Sequence, residues 1–239
     1  MPENRFFIET PFQKDEIVEL TGDEFHHLNV MRRKKGDAIQ LVNGRGELAK
    51  GTLQEIAKRD ARIEIHEIVH EPKSKKNLIL AQSIVRLPAL EMILEKGTEL
   101  GVTEFWLFPA TYTEKKELSE HQNLRLRHMT ISALKQCGRV YLPPIEIKPS
   151  LAKWSSFEGQ KFFGDLRVDA PYLSTCRHTQ DQLIFFVGPE RGFSDDEVFH
   201  MEKKLGAKGV RLHENTLRVD TAAICASILL STNHLDKLK

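Results

Sequence analysis

The second part of the chain alternates apolar strand segments with helical segments, and this alternation constrains the fold more than any other feature. Residues 78–85 form a nearly continuous apolar run, typical of a strand covered on both faces. The helix predicted at 88–100 has Pro88 in its first turn and Gly101 placed to end it. Strands that alternate with helices predict a parallel sheet with helices on both faces. The pattern continues with strands at 105–109, 162–166, 183–187 and 209–212, and with helices at 120–137, 194–205 and 219–235.

The first 70 residues follow a different pattern, in which apolar and polar residues alternate with period two. Asn43-Gly44 is a strong turn signal between two such runs and predicts a hairpin. We therefore predict a small β-barrel over 1–70, a charged linker at 71–77 and an α/β domain over 78–239. Strands are predicted at 4–9, 16–20, 37–43, 47–56 and 61–69, with a short helix at 21–31 capped by Thr21 or Asp23.

Charge is distributed unevenly along the chain. The 35 Lys and Arg residues nearly balance the 34 Asp and Glu residues, for a net charge of +1. However, residues 1–31 carry a net −5, residues 32–62 a net +5 and residues 73–150 a net +4. The densest basic run, Arg32-Arg33-Lys34-Lys35, is typical either of a solvated turn or of a phosphate-contacting patch. The near-neutral total argues against indiscriminate coating of nucleic acid but is compatible with a local basic face.

Several other classes of protein are not indicated. No apolar run approaches the roughly 18–20 residues of a membrane-spanning helix, and the N-terminal segment has no apolar stretch of the secretory type. Cys137, Cys176 and Cys225 are far apart, so we expect free thiols and a cytoplasmic location. His26 and His27 are adjacent but have no suitably spaced partner ligands, so we expect packing or capping roles and no metal site.

Three loops that leave predicted strands are candidates for a ligand site, because open parallel sheets bind ligands at the carboxyl ends of their strands. They are 164–166, 188–193 (GPERGF) and 212–217 (LHENTL). The second has two glycines, which let the backbone approach a ligand closely, although a plain strand-to-helix loop can have the same composition. GxGxxG and a Gly-Lys-Ser/Thr phosphate loop are both absent, so the common NAD and ATP motifs are not indicated.

Five segments of this chain form a set of motifs: VGPERGFSDDEV (187–198), LRVDTAA (217–223), EKGTELGV (95–102), QCGRVYLPPI (136–145) and HHLNVMRRKKGD (26–37). Together they resemble the RsmE family of SPOUT-class RNA methyltransferases. They span nearly the whole chain in the family's order and spacing. The resemblance implies an α/β fold with an N-terminal PUA-like β-barrel and a trefoil-knotted SPOUT domain, assembled as a homodimer. It also implies methylation of N3 of a uridine in the 16S ribosomal RNA of the small ribosomal subunit, with S-adenosyl-L-methionine as the cofactor.

The resemblance implies roles for individual residues as well. Arg218 is the first choice for the cation that stabilises the uridine anion, and Arg139, acting from a partner subunit, is the second. Glu190, Glu214 and Asp220 are alternatives for the general base. Cofactor contacts are expected at Leu166, Val187, Gly188, Glu190, Gly192, Leu212, Leu217, Thr221 and Ala222. RNA contacts are expected at Arg5, Arg32, Arg33, Lys34, Lys35 and Lys115.

Four positions depart from the family pattern. Arg191 stands where the family usually has Gly, and Lys115 where it usually has Arg. His213 and Asn215 replace a usual Gly and Arg. These departures leave two alternatives open: an RNA-binding SPOUT protein with weakened catalysis, and a SPOUT methyltransferase with a different RNA target. A nucleotide-binding α/β enzyme of another class is disfavoured by the missing phosphate motifs.

Overall fold

The structure, a computed structural model, describes residues 4–232 and contains two compact units. The chain passes from the first unit to the second between Lys73 and Ser74, within the segment predicted as a linker. Ile131–Leu142 also belongs to the first unit, which a single division at 71–77 does not include. This segment packs there because Leu134 and Val140 share a small apolar cluster with Val42.

A charged contact also holds the 131–142 segment within the first unit. The Lys135 ammonium lies 2.6 Å from Glu24 Oε1, and both side chains are largely buried. Glu24 Oε2 in turn accepts a hydrogen bond from the Phe7 backbone N–H at 3.1 Å. One carboxylate therefore joins three separate stretches of this unit.

The first unit is built on a five-stranded sheet with the order β1-β3-β4-β5-β2. Strands β1 and β3 are parallel, and the other pairs are antiparallel. Register shifts in the β4–β5 pair mark irregularities that bend the sheet. The elements are β1 (Arg5–Phe7), β2 (Ile17–Thr21), α1 (Gly22–Val30), β3 (Ala38–Val42), β4 (Glu47–Ile56) and β5 (Asp60–His70).

This sheet curls into a half-barrel around one core. Phe6 on β1 and Leu20 on β2 lie at opposite edges of the sheet, yet both are buried in the same cluster. Leu41 and Ile63 from the middle of the sheet join them, and Leu28 of α1 is buried in the same cluster. The period-two alternation places these apolar side chains on one face, as the sequence predicts.

The second unit contains a six-stranded, all-parallel sheet with the order β11-β9-β10-β6-β7-β8. The predicted α/β arrangement with a parallel sheet is confirmed. Strand β8 was not predicted, and residues 233–235 of the last predicted helix lie outside the described residues. The elements are β6 (Asn77–Ser83), α2 (Leu87–Glu99), β7 (Glu104–Phe108), α3 (Glu120–Cys137), β8 (Ile145–Ile147), β9 (Gln160–Gly164), β10 (Gln182–Val187), α4 (Asp195–Lys203), β11 (Lys208–Val210) and α5 (Val219–Thr232). The last part of α3, from Ile131, belongs to the first unit.

Helices cover both faces of the parallel sheet. Phe162 and Phe185 point into a core shared with α2 and α5, whereas Phe163 and Phe186 point into a core shared with α4. Neighbouring residues on one strand thus serve different cores, which explains why these strands have continuous apolar runs. Within residues 4–232, none of the helices is both long and apolar enough to cross a membrane.

The strand order creates a reversal in the middle of the sheet. After β6 the chain moves to β7 on one side, and after β10 it moves to β11 on the other side. Strands β6 and β10 are neighbours, so the connections diverge at their carboxyl ends and leave a crevice there. The trefoil knot implied by the family resemblance stays a prediction.

Candidate active site

A cavity of about 450 Å³ lies at the carboxyl ends of β9, β10 and β11, beside the start of α5. Its volume is within the range of small-molecule sites. The three loops that the sequence singled out, 164–166, 188–193 and 212–217, all contribute to its lining. Phe185, Val187 and Val210 form part of an apolar wall.

The loop after β10 has a defined shape. The Gly192 N–H donates to the Pro189 carbonyl at 2.8 Å and closes a tight turn. Gly192 has φ +75°, a conformation that favours glycine. Phe193 then anchors the end of the loop, with its ring stacked on Phe108 at a centroid distance of 6.5 Å and an interplanar angle of 5°. The backbone of this loop is therefore preorganised beside the cavity.

A capping box extends this anchoring into α4. Ser194 caps the helix, its Oγ accepts from the Glu197 N–H, and Glu197 Oε2 accepts from the Ser194 N–H at 2.9 Å, as the sequence indicates. Glu197 is buried, and its Oε1 accepts a hydrogen bond from the Thr111 N–H at 2.8 Å. One carboxylate thereby connects the loop after β7 with the loop after β10.

The other two loops are held by side-chain-to-backbone hydrogen bonds. Asp165 Oδ1 accepts from the Arg167 N–H at 2.9 Å. In the loop after β11, His213 Nδ1 accepts from the Asn215 N–H at 3.1 Å. The two residues that depart from the family pattern there thus stabilise their own loop.

Eight of the nine predicted cofactor residues line this cavity, and Thr221 is outside the lining. The Thr221 side chain is exposed, and its backbone N–H donates to Asp220 Oδ1 at 2.8 Å. The eight lining residues are Leu166, Val187, Gly188, Glu190, Gly192, Leu212, Leu217 and Ala222.

The cavity is suited to a ligand with apolar and polar parts. Gly164 and Gly192 line it, and a Cβ built on either glycine would meet no protein atom within 4 Å. The backbone can therefore approach a ligand at both positions. With its apolar wall and nearby backbone groups, the site fits a nucleoside that carries an amino-acid arm.

Two of the predicted catalytic residues lie between this cavity and a second one. Arg218 and Glu190 line both. Within residues 4–232, neither side chain has a hydrogen-bond or ion-pair partner, so both are available to a substrate. Asp220 also lines both cavities, but its carboxylate already accepts from Thr221. Glu214 is outside both linings.

Arg139 has different surroundings. It belongs to the first unit, and its backbone carbonyl accepts from Arg5 Nη1 at 3.4 Å. Burial lowers the pKa of its guanidinium from the usual value. The proposed action of Arg139 from a partner subunit stays a prediction.

The second cavity, of about 480 Å³, contains residues that the sequence did not bring forward. Tyr112 lies in the loop after β7, and the Arg191 guanidinium carbon is 5.1 Å from the centroid of its ring. Arg86, directly before α2, and Met92, within α2, also line it. A single tyrosine or methionine has no sequence signal for such a role, because both are ordinary surface or core residues.

The predicted RNA-binding residues differ in exposure. Arg32, Lys34 and Lys35 are exposed and Arg33 is half-buried, all directly after α1. Lys115 is exposed in the second unit, and its Nζ donates to Gln122 Oε1 at 2.8 Å.

Arg5 is a special case among these candidates. It is only 8% exposed, its Nε and Nη2 donate to Gln40 Oε1, and burial lowers its pKa. A phosphate contact by Arg5 would require its guanidinium to leave these partners.

The surroundings of the three cysteines and of His27 favour structural roles for these residues. The three cysteines are free thiols, and burial raises the pKa of the Cys225 thiol, which disfavours a reactive thiolate. His27 lies 5.3 Å from Phe6 between ring centroids, which is a packing role. Within residues 4–232, no group of three or more His, Cys, Asp and Glu side chains is arranged to hold a metal ion.

Comparison with known proteins identifies the class to which this fold and cavity belong. Residues 72–231 match the model of the RNA methyltransferase domain, and residues 20–65 match that of the RNA methyltransferase PUA domain. The chain belongs to this RNA methyltransferase family.

The chain is also similar to individual proteins that have been named. The chain is 25% identical over 248 residues to ribosomal RNA small subunit methyltransferase E of Rickettsia conorii, with 100% of both chains covered. It is 27% identical over 246 residues to the Bacillus subtilis protein of the same name, with 95% of both covered. The crystal structure of the Neisseria gonorrhoeae protein of that name, bound to S-adenosyl methionine, matches with a TM-score of 0.85 at 28% identity, covering 96% of this chain and 97% of that one.

Proposed function

We propose that this protein transfers a methyl group from S-adenosylmethionine to N3 of a uridine in the 16S RNA of the small ribosomal subunit. The observation that carries the proposal is the cavity enclosed by three loops at the carboxyl ends of β9, β10 and β11. It adjoins a second cavity through Arg218 and Glu190. The relatives named ribosomal RNA small subunit methyltransferase E, and the S-adenosyl methionine bound to one of them, support the choice of cofactor and RNA.

The cofactor would be held chiefly by backbone of the three loops. The 188–192 backbone and the chain at Leu212 and Leu217 would accept and donate hydrogen bonds to its polar groups, and Leu166 would pack on its apolar face. When bound, the cofactor supplies an electrophilic methyl group. Phe193 and the Ser194–Glu197 capping box hold the loop after β10, and side-chain-to-backbone hydrogen bonds at Asp165 and His213 hold the other two. Little ordering cost is therefore expected on binding.

Methylation of uracil at N3 requires the loss of a proton from that nitrogen. N3 of uracil is mostly protonated near neutral pH, so its N–H proton has to leave as the new N3–carbon bond forms. The Arg218 guanidinium, which has no partner among residues 4–232, would stabilise the negative charge that develops on the uracil. Glu190, which is exposed at the junction of the two cavities, would take the proton directly or through water.

The first unit would hold the RNA. Its exposed basic run at Arg32, Lys34 and Lys35 lies in the segment whose net charge is +5. Phosphate contacts of this type position the RNA without reading its sequence. We place the protein in the cytoplasm with the ribosomal subunits that it would modify.

We also propose that the protein is a homodimer. In the second unit, Leu124 on α3 is 52% exposed and Ile228 on α5 is 42% exposed, and a subunit contact would remove such apolar surface from water. In sedimentation velocity, Ile228→Glu should shift the dimer towards monomer. Gln180→Glu adds the same charge at an exposed polar residue of the second unit, is the matched control and should remain dimeric.

Methylation of ribosomal subunits tests the proposed function. Small subunits from a strain that lacks the gene are incubated with the protein and labelled S-adenosylmethionine, and naked 16S RNA is treated in parallel. Digestion and mass spectrometry should identify 3-methyluridine at one site. Cofactor binding by calorimetry without any labelled RNA would instead indicate a weakened RNA-binding protein, and a different methylated nucleoside would indicate another target.

A further inference from the structure

The second cavity combines an exposed aromatic ring with three arginines, Arg86, Arg191 and Arg218, and with three carboxylates, Glu114, Glu190 and Asp220. Tyr112 is 41% exposed, and the Arg191 guanidinium lies over its ring. Arg86 and Arg218 also line the cavity, and Arg86 Nη2 is 3.7 Å from Glu114 Oε1 at an exposed position. A planar guanidinium on an aromatic ring offers a flat surface, and nearby guanidinium groups attract anions. A nucleotide has both matching features, a flat base and a phosphate.

Both loops that carry the Arg191–Tyr112 pair are held in place. Tyr112 follows Thr111, whose backbone N–H donates to the buried Glu197 carboxylate and whose Oγ1 is 3.2 Å from Ser194 Oγ. Arg191 precedes Gly192, whose N–H closes the turn on the Pro189 carbonyl. The pair therefore sits on two loops that Glu197 and Ser194 connect, so its position is set before any ligand arrives.

The location of the pair restricts what it can do. The second cavity shares Glu190, Arg218 and Asp220 with the cofactor cavity, so a ligand in it would lie next to a ligand in the first. An enzyme that modifies a base must take the base out of its stack and hold it beside the reacting group. An exposed stacking surface in this position suits the base that is taken out.

We propose that the second cavity is the acceptor pocket for one flipped-out pyrimidine nucleotide of the RNA, and that Arg191 on Tyr112 is the surface on which its base stacks. The inference rests on the proposed function. In this pocket, Tyr112 and Arg191 are specificity-determining residues that contact the substrate. Arg86 and Arg218 lie on the side of the cavity formed by the starts of α2 and α5, where they can meet the phosphate and the base edge.

Binding of uridine and of uridine 5′-monophosphate to the full-length protein saturated with S-adenosylhomocysteine tests this directly. Because one base–aromatic stack is worth about 1–3 kcal/mol, Tyr112→Ala should weaken the binding of both ligands roughly 5- to 150-fold. Tyr112→Phe keeps the ring and should bind nearly as the wild type does. Arg191→Lys keeps the positive charge but loses the planar guanidinium. It should therefore weaken the binding of uncharged uridine about as much as Arg191→Gln does.

The chain offers a matched control in a second arginine–tyrosine pair. The Arg211 guanidinium carbon lies 5.1 Å from the Tyr172 ring centroid, and Tyr172 is 38% exposed, but neither residue lines the second cavity. Tyr172→Ala should therefore leave uridine binding unchanged. Equal loss in Tyr172→Ala and Tyr112→Ala would overturn the proposal, as would wild-type protein that binds no uridine 5′-monophosphate at millimolar concentrations.

Turnover separates this proposal from the proposed function. With small ribosomal subunits, Tyr112→Ala should raise KM for the subunit and leave KM for S-adenosylmethionine unchanged. If Tyr112→Ala methylates subunits as the wild type does, the pocket assignment fails and the function stands. If the wild type methylates no RNA but binds uridine through Tyr112, the proposed function fails and the pocket stands.

Discussion

At the scale of single residues, Arg218 is the cation best placed to act on a substrate, because it lines both cavities and its side chain has no partner within residues 4–232. We expect Arg218→Ala to bind S-adenosylmethionine almost as tightly as the wild type. Methyl transfer should fall by about 10²- to 10³-fold, the usual effect of removing one group that stabilises developing negative charge.

Arg218→Lys is the matched variant for this prediction. It keeps the positive charge but not the planar guanidinium, so it should recover part of the rate. Calorimetry gives the cofactor affinity, and transfer of a labelled methyl group gives the rate. Full activity in Arg218→Ala would show that the cation acts elsewhere.

Arg32 is held in a backbone conformation that side chains disfavour. Its φ is +53°, directly after the end of α1, where its N–H donates to the Asn29 carbonyl. A residue with a Cβ pays about 1–2 kcal/mol in the left-handed region, whereas glycine does not. An exposed arginine in this conformation is a candidate for a functional side chain.

Two substitutions at Arg32 separate strain from charge. Arg32→Gly and Arg32→Ala remove the same charge and should weaken RNA binding equally. Arg32→Gly should nevertheless be more stable than Arg32→Ala by about 1 kcal/mol in urea unfolding. The strain argument is wrong if the two variants unfold at the same urea concentration, and the RNA assignment is wrong if both bind RNA as the wild type does.

Individual residues were predictable from the sequence where a strong local rule applied. Ser194 and Glu197 have the capping-box spacing, and the glycines at 188 and 192 mark a tight loop after a buried strand. Arg5 and Tyr112 show the limit of such rules. Arg5 donates to Gln40 across the sheet, and Tyr112 pairs with Arg191, nearly 80 residues away in the sequence. No local pattern contains either partnership.

At the scale of elements, segments with a clear period were predicted well. The helix predicted at 120–137 has these bounds in the structure, and the hairpin arms β3 and β4 lie on either side of the Asn43-Gly44 turn. Strand β8 was missed because it has only three residues and two of them, Glu146 and Ile147, are exposed. A short edge strand depends on its neighbour β7 for pairing, which the sequence does not display.

The segment that leads into β10 contains a histidine that should couple stability to pH. The His178 ring packs edge-on against Phe162 of β9 at 5.7 Å, and neither ring nitrogen has a hydrogen-bond partner among the described residues. Burial lowers its pKa in the folded state, so the unfolded chain binds a proton more readily. Stability contributed by neutral His178 should be fully present above the ordinary histidine pKa of about 6.5 and should be lost as the pH falls below it.

Thermal unfolding at several pH values tests this coupling. His178→Phe keeps a ring against Phe162 and should lose less stability than the wild type between neutral pH and pH 5. Burial and Lys135 lower the pKa of His27 in the same direction, so some pH dependence should remain in the variant. His121→Gln, at an exposed position on α3, serves as the control and should follow the wild type. A His178→Phe profile identical to that of the wild type would exclude this residue as a source of the pH dependence.

At the scale of the whole molecule, the fold class of each unit could be predicted from its hydrophobic periodicity. The order of the strands in each sheet could not. Alternating strands and helices predict a parallel sheet, yet they do not specify the order β11-β9-β10-β6-β7-β8. The inclusion of Ile131–Leu142 in the first unit likewise depends on two contacts, that of Lys135 with Glu24 and that of Val140 with Val42. These are long-range pairings, which neither composition nor local spacing encodes.

The charge of the whole chain, +1, hides a segregation that should appear in RNA binding. Lys34 and Lys35 are exposed in the basic run of the first unit, and Lys203 and Lys204 are exposed at the end of α4 in the second. Each phosphate contact contributes about 0.7–0.9 to the slope of log K against log salt concentration. Lys34→Gln with Lys35→Gln should therefore reduce that slope by about 1.4–1.8.

The Lys203→Gln and Lys204→Gln pair removes the same charge and should leave the slope unchanged. Fluorescence titration of small-subunit RNA over a range of salt concentrations measures both, and equal slopes for the two double variants would mean that net charge, rather than the basic run, determines RNA affinity.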